Sequence, residues 1–570
     1  MRLLLSVIVC MAGCIAQAQP PPRYAVLVHE VFADPEPSMG LPSSSFIELR
    51  NVSGQAVNLK GWTLQVNTTT VRINTDRSLQ PDSLLILCSS AAAPSYRLYG
   101  DVLPVTGFPS LPDAGGTIAL YGPDHRTIHA IEYSRDEHEN DLKKEGGWSL
   151  EMIDASKPCM EAGNWTSSRD PSGGTPGRIN SVAGPAEEDG PPHALRSWTS
   201  DSIHIIVLFD RTLDSLSASH ANRYALSGGP DVDRAEPIPP LYRMVRLTLK
   251  AALMPKQIHQ LVVQGMTDCE GSPVGADTSL RAGLPADAGA GSVVLNELLF
   301  NPKPEGSDYV ELLNIGDDVL DAASLSIAKR DAQGKVTDIK PCSPVPFLVF
   351  PGDHYVLSAD PAAVRKTFLV VHPERQSPPA SMPSMPDEEG DVLIMDRQGR
   401  LLDEVHYLAS WHFPLLEEVE GVALERIDPH GPAQDPANWH SAAAVRGYGT
   451  PTDRNSQQRT RGDASGGWTA DPEVISPDMD GHDDVLTLSY RFPAPGWTAT
   501  VTIYDREGRP IRYLCRHMLC GNSGSLRWDG MDEKGKHPGY GAYILVAESF
   551  DLSGHQTVWR KRISVAGTGR

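Results

Sequence analysis

Four aspartates and a glycine crowd the stretch SPDMDGHDDVLTL, residues 476–488, just ahead of an alternating apolar run. Asp478, Asp480 and Asp484 stand at positions 1, 3 and 7 of a loop that Gly481 lets turn sharply. Hard oxygen donors at alternate loop positions are the chemistry of a Ca2+ site. The stretch lacks the full EF-hand pattern and its closing bidentate Glu. A second reading stays open beside the first: the same carboxylates accept from nearby backbone amides, as Asx-turns that launch the following strand. Nothing around them suggests a nucleophile or an aromatic sugar cleft, so catalytic carboxylates find no support.

Other chemistry-bearing residues are more scattered. His138, between Glu137 and Glu139, offers a metal three neighbouring ligands, but RDEHENDLKKEGG (135–147) reads as a solvated loop. His406 and His412 lie on or beside an expected strand with no partner at a recognisable spacing. Arg461-Gly462-Asp463 falls in a polar stretch and reads as a chance tripeptide. Six cysteines follow the first 18 residues. Cys515 and Cys520 are close enough in sequence to staple a hairpin. Cys88 and Cys159 suit a bridge within one domain, and Cys269 and Cys342 read as free thiols. No C-x-x-C pair, G-x-S-x-G, H-E-x-x-H or Walker A loop is present, so nothing argues for an enzyme.

The elements that must position these residues follow from bulk properties. A chain of 570 residues is too long for one core, so roughly three to five domains are expected. A net charge of −22 disfavours nucleic acid, whose phosphates need a basic footprint. The 50 glycines and 48 prolines show no short period, which fits many short strands joined by turns. The opening MRLLLSVIVCMAGCIAQAQ reads as a secretory signal peptide cut after Ala18. Met11-Ala12-Gly13-Cys14 offers a rival, a lipid anchor at Cys14. No later apolar run approaches the roughly 18 residues a spanning helix needs. The expected product is exported, without a transmembrane helix.

The chain also repeats itself. VLVHEVFADPEP and FIELRN, near the start, return as VVLNELLFNPKP and YVELLN. SLEMIDASKPCMEAGNW (149–165) lies over ALERIDPHGPAQDPANW (423–439) without a gap. Each is followed by Gly-Thr-Pro and an Asn, at 174–180 and 449–455. Inside both copies, period-two alternation and Pro- or Gly-bearing turns predict half-buried strands and hairpins in a β-sandwich. The His29-Glu30 and Asn296-Glu297 openings, the F-I-E-L-x-N strand, LKGWTL (59–64), the Ser-Leu-Glu strand and the closing Asn-Trp…Gly-Thr-Pro…Asn together resemble the lamin tail domain. That resemblance implies an Ig-like sandwich at 20–182 and again at 290–455. Copy one departs with His29 for Asn, and copy two lacks the Gly-Trp after its second strand.

Residues 185–285 resemble a bacterial Ig-like domain of S-layer type, through SIHIIVLFDRTLD, NRYAL and the Thr-Asp-x-x-Gly close. Residues 456–470 are polar and Gly-rich and read as a linker. From 471 to 566, the S-P-x-x-D-G opening, Trp528-Asp529-Gly530 and Gly541-x-Tyr543 resemble flagellar hook-capping domains and the C-terminal domains of gliding-motility-associated exported proteins of Bacteroidetes. The latter likeness implies routing by type IX secretion, although ISVAGTGR runs on past the last strand. The expectation is therefore all-β, four tandem Ig-like sandwiches. The expected protein is a non-enzymatic surface or periplasmic scaffold that binds surface proteins or glycans. The rival is a carbohydrate-binding or accessory array of a hydrolase system, for which 6% aromatics is thin.

Overall fold

The computed structural model describes residues 21–138, 140–160, 163–187, 190–275, 279–378, 380–459 and 466–567. The expected signal peptide with Ala18 and Cys14, Glu139 and the Arg461-Gly462-Asp463 tripeptide lie outside the described residues. The fold is all-β, a series of mostly antiparallel sheets. No helix among the described residues is long and apolar enough to cross a membrane. The chain gathers into two compact units. One holds the first copy and most of the stretch between copies, and the other holds the second copy with the C-terminal residues.

In the first unit a six-stranded sheet orders Trp165–Ser167, Leu150–Met152, Val26–Phe32, Phe46–Asn51, Leu84–Ser89 and Val102–Val105. A four-stranded sheet orders Thr127–Ser134, Gly115–Tyr121, Thr63–Val66 and Thr69–Arg72. Ile47, Leu49, Leu85 and Leu87 of one sheet share a core with Leu64, Ile118, Leu120 and Ile131 of the other, around Trp62. The expected hairpin forms, with Ile118 opposite Ile131. The same unit contains a sheet of His204–Phe209, Met244–Leu249 and Val232–Ile238. Arg243 ties it to Glu132 at 2.8 Å, and the Arg23 guanidinium lies 4.4 Å from the Tyr242 ring.

The second copy repeats the plan. His354–Ser358, Tyr309–Asn314, Val293–Leu299, Leu424–Arg426 and Trp439–Ser441 form one sheet. Val336–Pro341, Ser326–Arg330, Glu389–Met395 and Leu401–Leu408 form the other. Both copies carry a β-bulge at the same place, between Val28 and Glu30 and between Leu295 and Glu297. The C-terminal residues build a three-stranded sheet of Gly467–Asp471, Leu486–Arg491 and Ser523–Trp528. It packs on a five-stranded one in which Val474–Ile475 runs parallel to Gln556–Val565.

Among the described residues five turns share one recipe, D-x-x-G followed by a basic residue; four close hairpins, and the one at Asp532 joins strands of different sheets. Asp331, Asp396, Asp505, Asp532 and Asp551 each accept, through Oδ1, the amides two and four residues on. The glycine between supplies the positive φ that closes the turn, +80° at Gly508. The Lys536 amide beside it is the main reason the Asp532 carboxyl lies below its usual range.

Three cysteine expectations are corrected, among them that of Cys269, which is bridged and not a free thiol. Cys159 pairs with Cys269, Cα atoms 6.1 Å apart and 110 residues apart in sequence, and not with Cys88. Cys88 is on the outer face of the six-stranded sheet, buried among Phe32, Phe46 and Tyr96, and burial pushes its thiol up to about 11. Cys515 and Cys520 are free. They lie along and just beyond one strand, Pro510–Leu519, which a bulge interrupts between them, with His517 at positive φ. The expected linker at 456–470 is also shorter than its composition suggests. Gln457 is fully buried, and strand pairing has begun by Gly467.

Candidate functional site

The aspartate loop forms as a compact knot. Asp484 accepts the amides of Asp478 at 3.1 Å, Met479 at 2.7 Å and Gly481 at 2.8 Å. Asp478 accepts the Asp480 amide at 3.2 Å, and Asp480 accepts the His482 amide at 2.8 Å. These are the Asx-type bonds of the second reading. Asp484 Oδ1 is filled by two amides, while Asp484 Oδ2 and one oxygen or more of Asp478 and Asp480 keep a further lone pair. One oxygen from each of Asp478, Asp480 and Asp484 lies within 4.8 Å of the others. Oxygens across a Ca2+ ion bound at about 2.3–2.6 Å stand about 5 Å apart, so the donor type and spread both fit that ion. The loop's own turn bonds and a cation site are compatible.

The larger polar constructions are buried, and the sequence did not announce them as such. Glu30 sits opposite Glu48 and Glu151 on the two flanking strands, and all three are fully buried. The closing Gly-Thr-Pro…Asn segment folds over them. Glu30 accepts the Ser149 hydroxyl at 2.6 Å and the Thr175 amide at 2.8 Å. Glu48 accepts the Gly177 amide at 2.5 Å. Glu151 accepts the hydroxyls of Thr175 and Ser181, both at 2.8 Å, and the Val182 amide at 3.2 Å. Asn180 donates to the carbonyls of His29 and Met152.

Copy two builds the same clasp. Glu297 lies opposite Glu311 and Glu425. Thr450 donates its amide to Glu297 and contacts Glu297 and Glu425 through its hydroxyl, and Thr452 donates to Glu311 at 2.7 Å. Burial pushes Glu30 well above the usual carboxyl range, and its two glutamate neighbours add to this. Burial raises Glu48 to about 8 and likewise lifts Glu297 and Glu425. Burial and the closeness of the carboxyls thus favour the protonated form of Glu30, Glu48, Glu297 and Glu425. Most of each triad's oxygens are engaged by backbone amides and hydroxyls away from solvent, which makes it a structural clasp.

The copies differ in how fully the clasp is satisfied. In copy two Asn296 donates to Glu311 at 2.8 Å and Asn455 at 2.7 Å, and His354 adds a 2.8 Å bond to Glu311. In copy one His29 replaces the Asn. Its Nδ1 stands 3.5 Å from Glu48 Oε1, and His29 Nδ1, Glu48 Oε1, Glu30 Oε2 and Asn180 Oδ1 are buried without a hydrogen bond. Burial, then Arg50, drives the His29 imidazole down to about 4. A second exchange covers the bulge. The Val28 amide donates to His129 Nδ1 at 2.9 Å in copy one. In copy two the Leu295 amide donates to Asp403 at 2.9 Å, and buried Arg426 balances that carboxylate at 2.6 Å.

The histidines singled out by sequence find structural partners. His138 and His412 occupy matching places, each bonded through Nδ1 to a strand serine, Ser167 at 2.5 Å and Ser441 at 2.9 Å. His406 pairs with Asp391 at 3.0 Å. Among the described residues the carboxylate cluster able to hold a metal is that of Asp478, Asp480 and Asp484.

No protein-family profile matches the chain, and no curated protein does. Among solved structures it is similar to the N-terminal part of the bacterial S-layer protein SbsC, at 16% identity and TM-score 0.16, covering 30% of this chain and 44% of that one. It is similar to a DUF4876 family protein from Bacteroides thetaiotaomicron at 11% identity and TM-score 0.16, covering 33% and 78%. It also matches a Ca2+-stabilised adhesin of an Antarctic bacterium at 11% identity and TM-score 0.12, covering 96% and 100%. The chain spans about half the length of the S-layer structures it matches. At TM-scores this low the likenesses carry no argument, and function is argued from the chain's own residues.

Proposed function

We propose that this is a non-enzymatic exported scaffold or adhesion protein of a bacterial surface or periplasm, with four β-sandwich modules in series. The observation that carries the reading is the clasp. In both copies the buried ionisable chemistry is consumed in fastening a closing segment to its sheet, which favours a durable spacer over a reaction centre. Its ligands would be surface proteins or glycans, bound by strand edges and the loops at sandwich ends. Ca2+ would be held by Asp478, Asp480 and Asp484, and would brace the entry to the strand Leu486–Arg491. The C-terminal resemblance supports routing to the surface.

Protease shaving of intact host cells, followed by peptide mapping, tests the exported reading. Peptides from both copies released into the medium or the periplasmic fraction are expected. Recovery confined to the cytoplasm refutes it. A glycan array separates the carbohydrate-binding alternative, which requires saturable binding to a defined sugar.

A further inference from the structure

We infer that residues 466–567 dock on the second copy as a permanent partner surface, held without help from the peptide chain that joins them. The contacts cross the segment 460–465. The Asn522 amide donates to the Ser456 carbonyl at 2.8 Å, and the Asn522 side chain donates to the Gln457 carbonyl at 2.8 Å. Gln457 answers by donating from Nε2 to the Cys520 carbonyl at 3.2 Å and to Ser441 of its own copy at 3.0 Å. Gln457, Cys520 and Asn522 are all buried.

The copy-two side of this joint is rigid because the clasp holds it. Glu425 accepts both the Ser456 hydroxyl and the Gln457 amide at 2.8 Å, so the residues offered to Asn522 are anchored in the sheet. Copy one has the same serine and amide but carries Val182 where copy two has Gln457. The reaching amide is thus particular to the copy that faces residues 466–567. Two glycines mark the closeness of the fit. A Cβ on Gly521 would stand 2.6 Å from the Ser456 carbonyl oxygen, and one on Gly496 would stand 3.3 Å from His440 Nε2. Backbone this close is the mark of a formed interface, not of beads on a string. The C-terminal residues would then remain a working part of the mature protein, and a cut in the joining segment would not shed them.

The test replaces residues 460–465 of the full chain with a site-specific protease recognition sequence, cleaves it, and runs size exclusion at about 10 µM. The two fragments are expected to elute together. Gly521→Val, whose backbone has no positive φ to strain, should make the cleaved C-terminal fragment elute alone with its circular dichroism retained. Gln457→Val provides a second route that leaves the C-terminal residues unaltered, and should weaken co-elution at least tenfold in protein concentration. Separation of the unmutated fragments overturns the inference. So does co-elution that both variants leave unchanged.

Discussion

Replacing Arg426 by Met should be among the most damaging single changes in the second copy, and adding Asp403→His should repair much of the harm. Arg426 is 3% exposed. It donates to Asp403 at 2.6 Å, to the Leu295 carbonyl at 2.9 Å and to the Gly431 carbonyl at 2.6 Å. Without it the Asp403 side chain is left beside the bulge with one backbone amide for company. Removing one partner of a buried pair costs about 3–5 kcal/mol. At about 2–4 °C per kcal/mol for a module of this size, the melting transition should fall by about 6–20 °C. Copy one shows a second solution at the same place. There His129 accepts the bulge amide and donates from Nε2 to the Pro158 carbonyl at 3.2 Å, and uncharged, buried Met152 stands in the sequence position of Arg426. The double variant Arg426→Met with Asp403→His installs that chemistry, with Pro432 in the position of Pro158. It should melt above either single variant, a coupling of up to about 3 kcal/mol. Differential scanning calorimetry of the full-length protein reads all four members of the cycle. A double variant that loses the sum of the two single losses would refute the claim that the two pairs are alternatives.

Other expectations are quicker to check. His29→Asn should raise the copy-one transition, since the Asn296 arrangement supplies donors to the oxygens orphaned around His29; each buried group paired is worth about 1–3 kcal/mol, and an unchanged or lowered melt would count against it. The raised carboxyls set a pH dependence: the unfolded chain ionises near 4.5 while Glu48 holds its proton to about 8, so their stabilising contribution is whole below about 4.5 and is lost as pH climbs toward 8. Urea midpoints should therefore fall over that window, and Glu48→Gln should flatten the fall. Ca2+ should raise the C-terminal transition of the full chain relative to EGTA, and Asp484→Asn should abolish the difference; identical melts with and without the ion would remove calcium from the account. Reduction should lower the first unit's transition, because opening Cys159–Cys269 frees a loop of 110 residues, a constraint worth roughly 4–5 kcal/mol in the chain-entropy account.

The hairpins were legible because alternation and turn chemistry are local. Ile118 and Ile131 face each other across a turn that Gly122 and Asp124 spell out, and D-x-x-G recurs where strands reverse. The clasps were not legible as such. A glutamate at a polar position of an alternating strand reads as solvent-facing, and Glu48 is buried by a segment that arrives 129 residues later. What the sequence did contain was the coincidence that the same glutamates, Thr175 and Thr450, and Asn180 and Asn455 recur in both copies. The partner of Cys159 was hidden for a related reason, since Cys269 lies in a different segment and no local spacing points to it. The aspartate loop was read in both its senses, and the geometry accommodates both.

The clasp also decides how the molecule would bear tension. Thr175 bonds to Glu30 across 145 residues of sequence, and Thr450 to Glu297 across 153. Where the chain enters each copy and where it leaves are thus pinned to the same strand. A pull along the polypeptide would pass from one end of a copy to the other through a few carboxyl–amide bonds. The hairpins and core between them would sit outside the load path. Each copy would behave as a shackle, stiff until its pin gives way, and then able to pay out a long length of chain at once.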